Sequence, residues 1–216
     1  QVVPGTDLGR RRLVFSMATG LLSYPLLENE GVNTDHKYSA ELLRPPGSFE
    51  EQEFLERCIK CEQCLIVCPT NVLQPSLAKT GPEGVFTPEM EFRIGYCDWA
   101  CNECGKVCPT GAIQALELEA KRTTKIGRAY VDENRCIPFV DGQTCLVCEE
   151  LCPLPEKAIE LREVTIETPE GDEVTLGQPH VIDDLCIGCG ICEHQCPAQG
   201  EAAIQVRARD DASMRT

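Results

Sequence analysis

The sequence predicts an α+β protein of short helices and short strands, rich in loops, preceded by an irregular N-terminal arm. Three observations support this. Sixteen of the 216 residues are cysteine, and these cysteines recur in similar groups along the chain. Only 5% of the residues are aromatic, and the apolar residues form short runs between the cysteine groups. We therefore expect several small cores, each built around something other than side chains alone.

The N-terminal arm, residues 1 to 47, contains no cysteine and begins with Gln1. Because the first residue is not methionine, we expect the chain to be processed, trimmed or part of a longer protein. Arg10-Arg11-Arg12 precedes a modest apolar stretch, which leaves three interpretations open: a retained twin-arginine export signal, an amphipathic segment on a membrane or partner, or a packing helix. The stretch falls short of the roughly 20 apolar residues of a membrane span, so we expect no transmembrane helix. Residues 28 to 47 resemble a linker.

The second predicted domain, residues 48 to 216, begins with a helix. Ser48 and Glu51 have the spacing of a capping box for a helix over Phe49 to Arg57. Further along, residues 113–119 could pair with residues 126–132. A second hairpin is predicted between residues 164–166 and 174–176, which flank a turn containing proline and glycine.

Four cysteine quartets occupy this domain, within residues 58–68, 97–108, 136–152 and 186–196, and each ends in Cys-Pro. They begin roughly 40 to 50 residues apart, which indicates an internal repeat. The first and fourth read C-x2-C-x2-C-x3-C-P, the bacterial ferredoxin pattern. The second has three residues between its first two cysteines, and the third has eight. The quartets are Cys58, Cys61, Cys64 and Cys68; Cys97, Cys101, Cys104 and Cys108; Cys136, Cys145, Cys148 and Cys152; and Cys186, Cys189, Cys192 and Cys196.

The spacing suits [4Fe–4S] clusters. Three closely spaced thiolates let one loop bind three irons of a cluster, while the fourth cysteine, separated from the third by three residues, ligates the cluster of a partner quartet. We therefore predict that all sixteen cysteines are iron ligands and that the chain carries four [4Fe–4S] clusters in two bacterial-ferredoxin-like units. Zinc is disfavoured because no histidine completes a zinc spacing. Disulfides are disfavoured because the crowded thiols do not suit orderly pairing.

An acidic surface accompanies these motifs, because 35 acidic residues oppose 20 basic ones, for a net charge of −15. Such a charge repels nucleic acid, so no nucleic-acid partner is expected. It suits docking to basic patches on protein redox partners, although it could serve solubility alone.

No residue is predicted to be catalytic. The chain has no dinucleotide-binding glycine motif after a strand and no phosphate-binding loop. We therefore expect a non-catalytic electron carrier with no small-molecule substrate, working as a subunit of a larger complex. The alternatives are a freely diffusing polyferredoxin and, less favoured, a redox enzyme in its own right.

The motifs resemble those of the NapG/MauM-type polyferredoxins, four-cluster electron-transfer subunits of respiratory oxidoreductases. The resemblance covers about residues 49 to 206. It rests on Arg57-Cys-Ile-Lys-Cys-Glu-Gln-Cys64, on Gly95-Tyr-Cys-Asp-Trp-Ala-Cys101, on Cys145-Leu-Val-Cys148 and on Cys186-Ile-Gly-Cys-Gly-Ile-Cys192. It implies a relay between a quinone-linked or other redox partner and a catalytic subunit, in a membrane-associated complex. The periplasmic side is favoured over the cytoplasm.

The resemblance also implies how the quartets pair. Related four-cluster subunits pair the first quartet with the fourth and the second with the third, and we expect this nested arrangement rather than a tandem one. The four predicted ligand sets are Cys58, Cys61, Cys64 and Cys196; Cys186, Cys189, Cys192 and Cys68; Cys97, Cys101, Cys104 and Cys152; and Cys136, Cys145, Cys148 and Cys108.

Overall fold

The computed structural model describes residues 42–77, 81–167 and 173–208, and the predictions for residues 1 to 41 lie outside them. Short helices and strands alternate with loops throughout, as expected for a chain whose apolar runs are short. In chain order they are α1 Glu51–Arg57, α2 Gln63–Val67, β1 Leu73–Pro75, α3 Gly81–Gly84, β2 Pro88–Met90, α4 Glu103–Lys106, α5 Leu118–Thr123, β3 Arg128–Val131, α6 Ile137–Val140, α7 Val147–Glu150, β4 Ile159–Glu167, β5 Glu173–Val181, α8 Ile191–His194 and β6 Ile204–Arg207.

Three antiparallel two-stranded sheets organise the described residues. β1 pairs with β2, and Leu73 lies opposite Met90. β4 pairs with β5 over nine residues each, and Thr165 lies opposite Thr175. The predicted hairpin at residues 164–166 and 174–176 is therefore confirmed and is longer than expected. β3 pairs with β6, near the C-terminal end of the described residues.

The predicted hairpin between residues 113–119 and 126–132 is wrong. Leu118–Thr123 forms helix α5, with Glu119 in its first turn and two basic residues in its last, an arrangement that complements the helix dipole. Ile113 makes only an isolated bridge to Ser48. β3 takes its partner strand from β6, more than 70 residues further along the chain.

Helix α1 differs from its prediction in its start. It begins at Glu51, its N-cap is Glu50, and no side chain caps it. The Ser48 hydroxyl is buried without a hydrogen-bond partner and is not a cap. Glu51 instead accepts two hydrogen bonds from the Arg44 guanidinium, at 2.8 and 2.5 Å.

The folded domain begins earlier than the predicted boundary after residue 47. Leu42 and Leu43 are buried, and the Leu43 carbonyl accepts a hydrogen bond from the Met90 amide at 2.9 Å. The Arg44 guanidinium lies 4.5 Å from the centre of the Phe54 ring. Residues 42 to 47 therefore belong to the packed domain and not to a linker.

The core combines apolar side chains with cysteines. Phe54, Ile113 and Val72 are among the largest that are fully buried, and cysteines belong to the same apolar cluster. In the part of the chain that the structure describes, no helix combines the length and apolarity needed to cross a bilayer.

Candidate metal centres

The structure gathers the sixteen cysteines into four small cavities, each lined by four thiols. Three thiols of each cavity come from one quartet and the fourth comes from another. We name the cavities by the quartet that supplies three thiols. Site I contains Cys58, Cys61, Cys64 and Cys108; site II contains Cys97, Cys101, Cys104 and Cys68; site III contains Cys136, Cys145, Cys148 and Cys196; and site IV contains Cys186, Cys189, Cys192 and Cys152.

This grouping corrects the nested pairing. Each predicted set shares its first three cysteines with one cavity, but the fourth is wrong in all four sets: Cys108, not Cys196, joins site I, and Cys196, not Cys108, joins site III. Likewise Cys68 joins site II and Cys152 joins site IV. The first quartet thus exchanges its last cysteine with the second, and the third with the fourth.

The hairpins explain the exchange. The β1–β2 hairpin lies between the first and second quartets, and the β4–β5 hairpin lies between the third and fourth. Each hairpin reverses the chain, so the quartet after it returns to the quartet before it. The link from the second to the third quartet contains α5 and β3, and β3 pairs elsewhere. The hairpin predicted in that link, between residues 113–119 and 126–132, does not form.

Backbone amides point at several of the thiols. The amides of Ile113, Ala129 and Ala203 lie 3.5, 3.4 and 3.3 Å from the sulfurs of Cys108, Cys186 and Cys196. Such amides stabilise negative charge on sulfur, as ligand thiolates require, and help to set the potential of a bound cluster. All sixteen cysteines are free thiols, and only Cys61 is exposed.

Burial dominates the electrostatics of the thiols. It raises the pKa of Cys64 and Cys104 to about 12, and neighbouring thiols add to the shift. Burial also raises the pKa of Cys136 to about 12 and that of Cys192 well above its ordinary value. Such thiols are protonated at neutral pH unless a bound cation displaces the proton. A metal ligand must be a thiolate, so metal binding would supply that cation.

Cys108 is the exception. Burial raises its pKa, but hydrogen bonds from the backbone amide of Ile113, the hydroxyl and amide of Thr110 and the amide of Ala112 outweigh burial, and the pKa is lowered. Hydrogen bonds to a thiolate favour the charged form. The backbone and Thr110 thus favour the thiolate form of Cys108 more than burial opposes it.

The enlarged loop of the second quartet is held by helix α5. The buried Lys121 amine donates to the carbonyl of Asp98, and the Arg122 guanidinium lies 5.2 Å from the centre of the Trp99 ring. The Asp98 carboxylate accepts a hydrogen bond from the Ala100 amide at 2.7 Å. The extra residue of this loop is thus accommodated by local contacts, and Trp99 packs against Arg122.

Sites II and IV adjoin. The Cys97 amide donates to the Cys189 carbonyl at 2.8 Å, which joins a residue of one site directly to a residue of the other. The Tyr96 and His194 rings lie 5.6 Å apart at the same junction. Because sites I and II exchange cysteines, and so do sites III and IV, the four cavities are connected in the order I, II, IV, III.

The cavities suit clusters better than single ions. A tetrahedral zinc ion needs four donors that converge at about 2.0 to 2.3 Å from one point. Among the described residues, no group of three or more His, Cys, Asp or Glu side chains is placed to hold one ion. Four soft thiolates around one cavity are the donor set of a [4Fe–4S] cluster.

Sequence reasoning did not single out Lys121, which lies between the two strands predicted at residues 113–119 and 126–132. Its side chain is only 2% exposed and lies at site II. Lys121 lies in the last turn of helix α5, which the sequence analysis did not predict. Its proximity to residues 97 and 98 depends on how that helix packs.

Comparison with known proteins agrees with this arrangement. Residues 57–112 match the family model of the 4Fe-4S dicluster domain, which spans the first and second quartets together. Residues 179–199 match the 4Fe-4S binding domain, which contains the fourth quartet. No solved structure matches the chain.

Several characterised relatives are similar over most of the chain. The methylamine utilization ferredoxin-type protein MauM of Methylorubrum extorquens is 36% identical over 183 residues, 83% of this chain and 78% of the relative. The ferredoxin-type protein NapG of Escherichia coli is 36% identical over 167 residues, 76% of this chain and 69% of the relative. NapG of Haemophilus influenzae is 33% identical over 170 residues, 78% of this chain and 59% of the relative. The chain, with its 4Fe-4S domains and its cysteines grouped in fours, therefore belongs to the ferredoxin-type electron-transfer proteins of the MauM and NapG family.

Proposed function

We propose that the chain relays electrons through four [4Fe–4S] clusters between a quinone-linked or other redox partner and a catalytic oxidoreductase subunit. The observation that carries the proposal is the grouping of all sixteen cysteines into four sets of four. Each bound cluster would supply one-electron transfer. The sixteen thiols are the proposed ligands, and the chain does no substrate chemistry.

The order of the cavities supports a relay. Clusters in sites I and II would share one ferredoxin-like unit, and clusters in sites III and IV the other. The hydrogen bond from the Cys97 amide to the Cys189 carbonyl makes sites II and IV the crossing point between the units. Sites I and III are then the ends, and Cys61 of site I, the one exposed thiol, lies where a partner could approach.

We further propose that the relay works in a membrane-associated complex on the periplasmic side. The support is the Arg10-Arg11-Arg12 triplet followed by a modest apolar stretch, which resembles an export signal for folded cofactor proteins. Cell fractionation of the producing organism tests this. Recovery in the periplasm or membrane fraction is expected, and recovery as a free cytoplasmic protein would favour the diffusing carrier.

The test of the relay is iron and acid-labile sulfide analysis of anaerobically purified protein, with EPR of the reduced form. We expect about sixteen iron and sixteen sulfide per chain, because each cluster has four of each, and overlapping spin-coupled signals from neighbouring clusters. Bound zinc, or oxidised thiols without metal, would contradict the proposal. A stable content of about eight iron would reduce the relay to one ferredoxin-like unit.

A further inference from the structure

Lys121 is a buried cation at a metal site. Its side chain is 2% exposed, and it extends from α5 to the enlarged loop of the second quartet. There the amine donates a hydrogen bond to the carbonyl of Asp98, the residue next to Cys97 of site II. Burial raises the pKa of the Cys97 thiol, and the positive charge of Lys121 opposes that shift. The position is inside the protein, between the helix and the cysteine loop.

Among the described residues, no carboxylate forms an ion pair with this charge. The acceptor of the Lys121 amine there is the Asp98 carbonyl oxygen. Burying an ammonium group is costly unless an anion accompanies it. The nearest source of negative charge is the set of four thiolates that site II would present to a cluster.

Two other cations near the cysteines differ from Lys121 because each is paired with a carboxylate. Lys106, on the site II helix α4, is exposed and forms an ion pair with Glu103 at 2.8 Å. Burial raises the pKa of Cys58 in site I, and the charge of Arg44 opposes that shift. The Arg44 guanidinium, however, is paired with the Glu51 carboxylate. Lys121 is thus a cation that lies beside a cysteine site and has no carboxylate partner within the part of the chain that the structure describes.

We propose that Lys121 acts as a fixed positive charge that raises the reduction potential of the cluster held at site II. The inference rests on the proposed relay. One-electron reduction adds one negative charge to the site, and a cation nearby in a poorly solvated interior stabilises the added charge. Lys121 is a positioning and tuning residue and does not itself carry the electron.

The experiment is an anaerobic dithionite titration of the full chain, followed by EPR. Lys121→Met keeps the volume of the side chain and removes its charge. We expect one of the four reduction steps to move to lower potential by about a tenfold change in its equilibrium constant, about 59 mV for one electron. The other three steps should stay where they are. Lys121→Gln removes the charge but keeps a donor for the Asp98 carbonyl, and it should show the same fall.

Two charge controls complete the design. Lys106→Met makes the same charge change at the same site but in solvent, where screening is strong, and should leave every step in place. Lys121→Arg keeps the charge and should leave the potential close to that of the unaltered protein. The inference is overturned if neither neutral variant moves a step, if all four steps move together, or if Lys121→Arg shifts the step as far as Lys121→Met.

Iron and sulfide analysis of each protein separates this inference from the relay itself. An unaltered chain without four clusters contradicts the relay. Fully loaded variants with unchanged potentials leave the relay intact and contradict only the role of Lys121. If Lys121→Met assembles poorly, Lys121→Gln decides the outcome.

Discussion

The cysteine loops of the first and fourth quartets share an unusual backbone conformation at two equivalent positions. Lys60 and Glu62 of the first quartet occupy the positions that Gly188 and Gly190 occupy in the fourth, and all four have positive φ angles, of 56°, 60°, 72° and 77°. The loop therefore requires a left-handed conformation at both positions, whichever residue is present. Lys60 and Glu62 are exposed, so only backbone strain opposes their side chains there.

Glycine in the fourth quartet has a second cause, which is space. A Cβ atom on Gly190 would lie 1.9 Å from Cδ1 of Phe92, a ring that is only 2% exposed. A Cβ on Gly188 would lie 2.4 Å from the Gly127 amide nitrogen. Since Phe92 precedes the second quartet and Gly190 lies in the fourth, these glycines allow the two proposed units to approach.

Gly190→Ala should therefore destabilise the protein by about 2 to 4 kcal/mol, from the left-handed alanine together with overpacking against Phe92. Thermal denaturation of the iron-loaded protein under anaerobic conditions measures the change. Gly200→Ala is the matched control: its φ is +76°, but a Cβ there would meet nothing within 4 Å. It should cost about 1 kcal/mol. Equal losses of stability in the two variants would show that the space beside Phe92 does not require glycine at position 190.

At the scale of elements, the hairpins decide which quartets meet. β1–β2 is only three residues long in each strand, whereas β4–β5 has nine, yet both reverse the chain between two quartets. The cluster loops then exchange their last cysteines across each hairpin. A short hairpin is sufficient because one quartet ends shortly before it and the next begins shortly after it.

The pairing can be tested with double variants of the full chain. Cys61→Ala with Cys108→Ala removes two proposed ligands of site I, so one cluster should be lost and about twelve iron atoms should remain. Cys61→Ala with Cys196→Ala removes one ligand each from sites I and III, and about eight iron atoms should remain. Iron analysis with EPR measures both. The nested arrangement requires the opposite result, because Cys61 and Cys196 would then share a cluster.

At the scale of the whole molecule, the thiol-lined cavities are part of the core. Several cysteines belong to the buried apolar cluster, and others pack against it. The four thiols of each cavity come from two separate segments of the chain, which a bound cluster would hold together. Cluster binding and folding should therefore be coupled.

Removal of iron should unfold most of the domain. We expect oxidative destruction of the clusters in the presence of a chelator to abolish the cooperative thermal transition and to reduce the strand and helix signal in circular dichroism. Reconstitution with iron and sulfide should restore both, which controls for irreversible damage. A metal-free protein that keeps its cooperative transition would show that the polypeptide holds the cavities open by itself.

The ferredoxin class of the protein could be predicted from the sequence because cluster binding is encoded locally. Three cysteines within seven residues lie on one short loop whatever the rest of the chain does, so Cys58, Cys61 and Cys64 fall into one site as expected. The β4–β5 hairpin was equally predictable, because its two strands are neighbours in the sequence.

The tertiary structure alone decided the features that depend on distant segments. The partner of β3 is β6, far along the chain, and no local pattern distinguishes that pairing from the hairpin predicted in its place. The fourth cysteine of each site follows from which hairpins form, and so the tandem exchange replaced the nested one. The burial of Lys121 follows from the packing of α5 on the second quartet. The sequence by itself determined which three cysteines share each site, because their spacing is short-range. The pairing of the sites and their electrostatic surroundings are set by contacts between residues far apart in the chain.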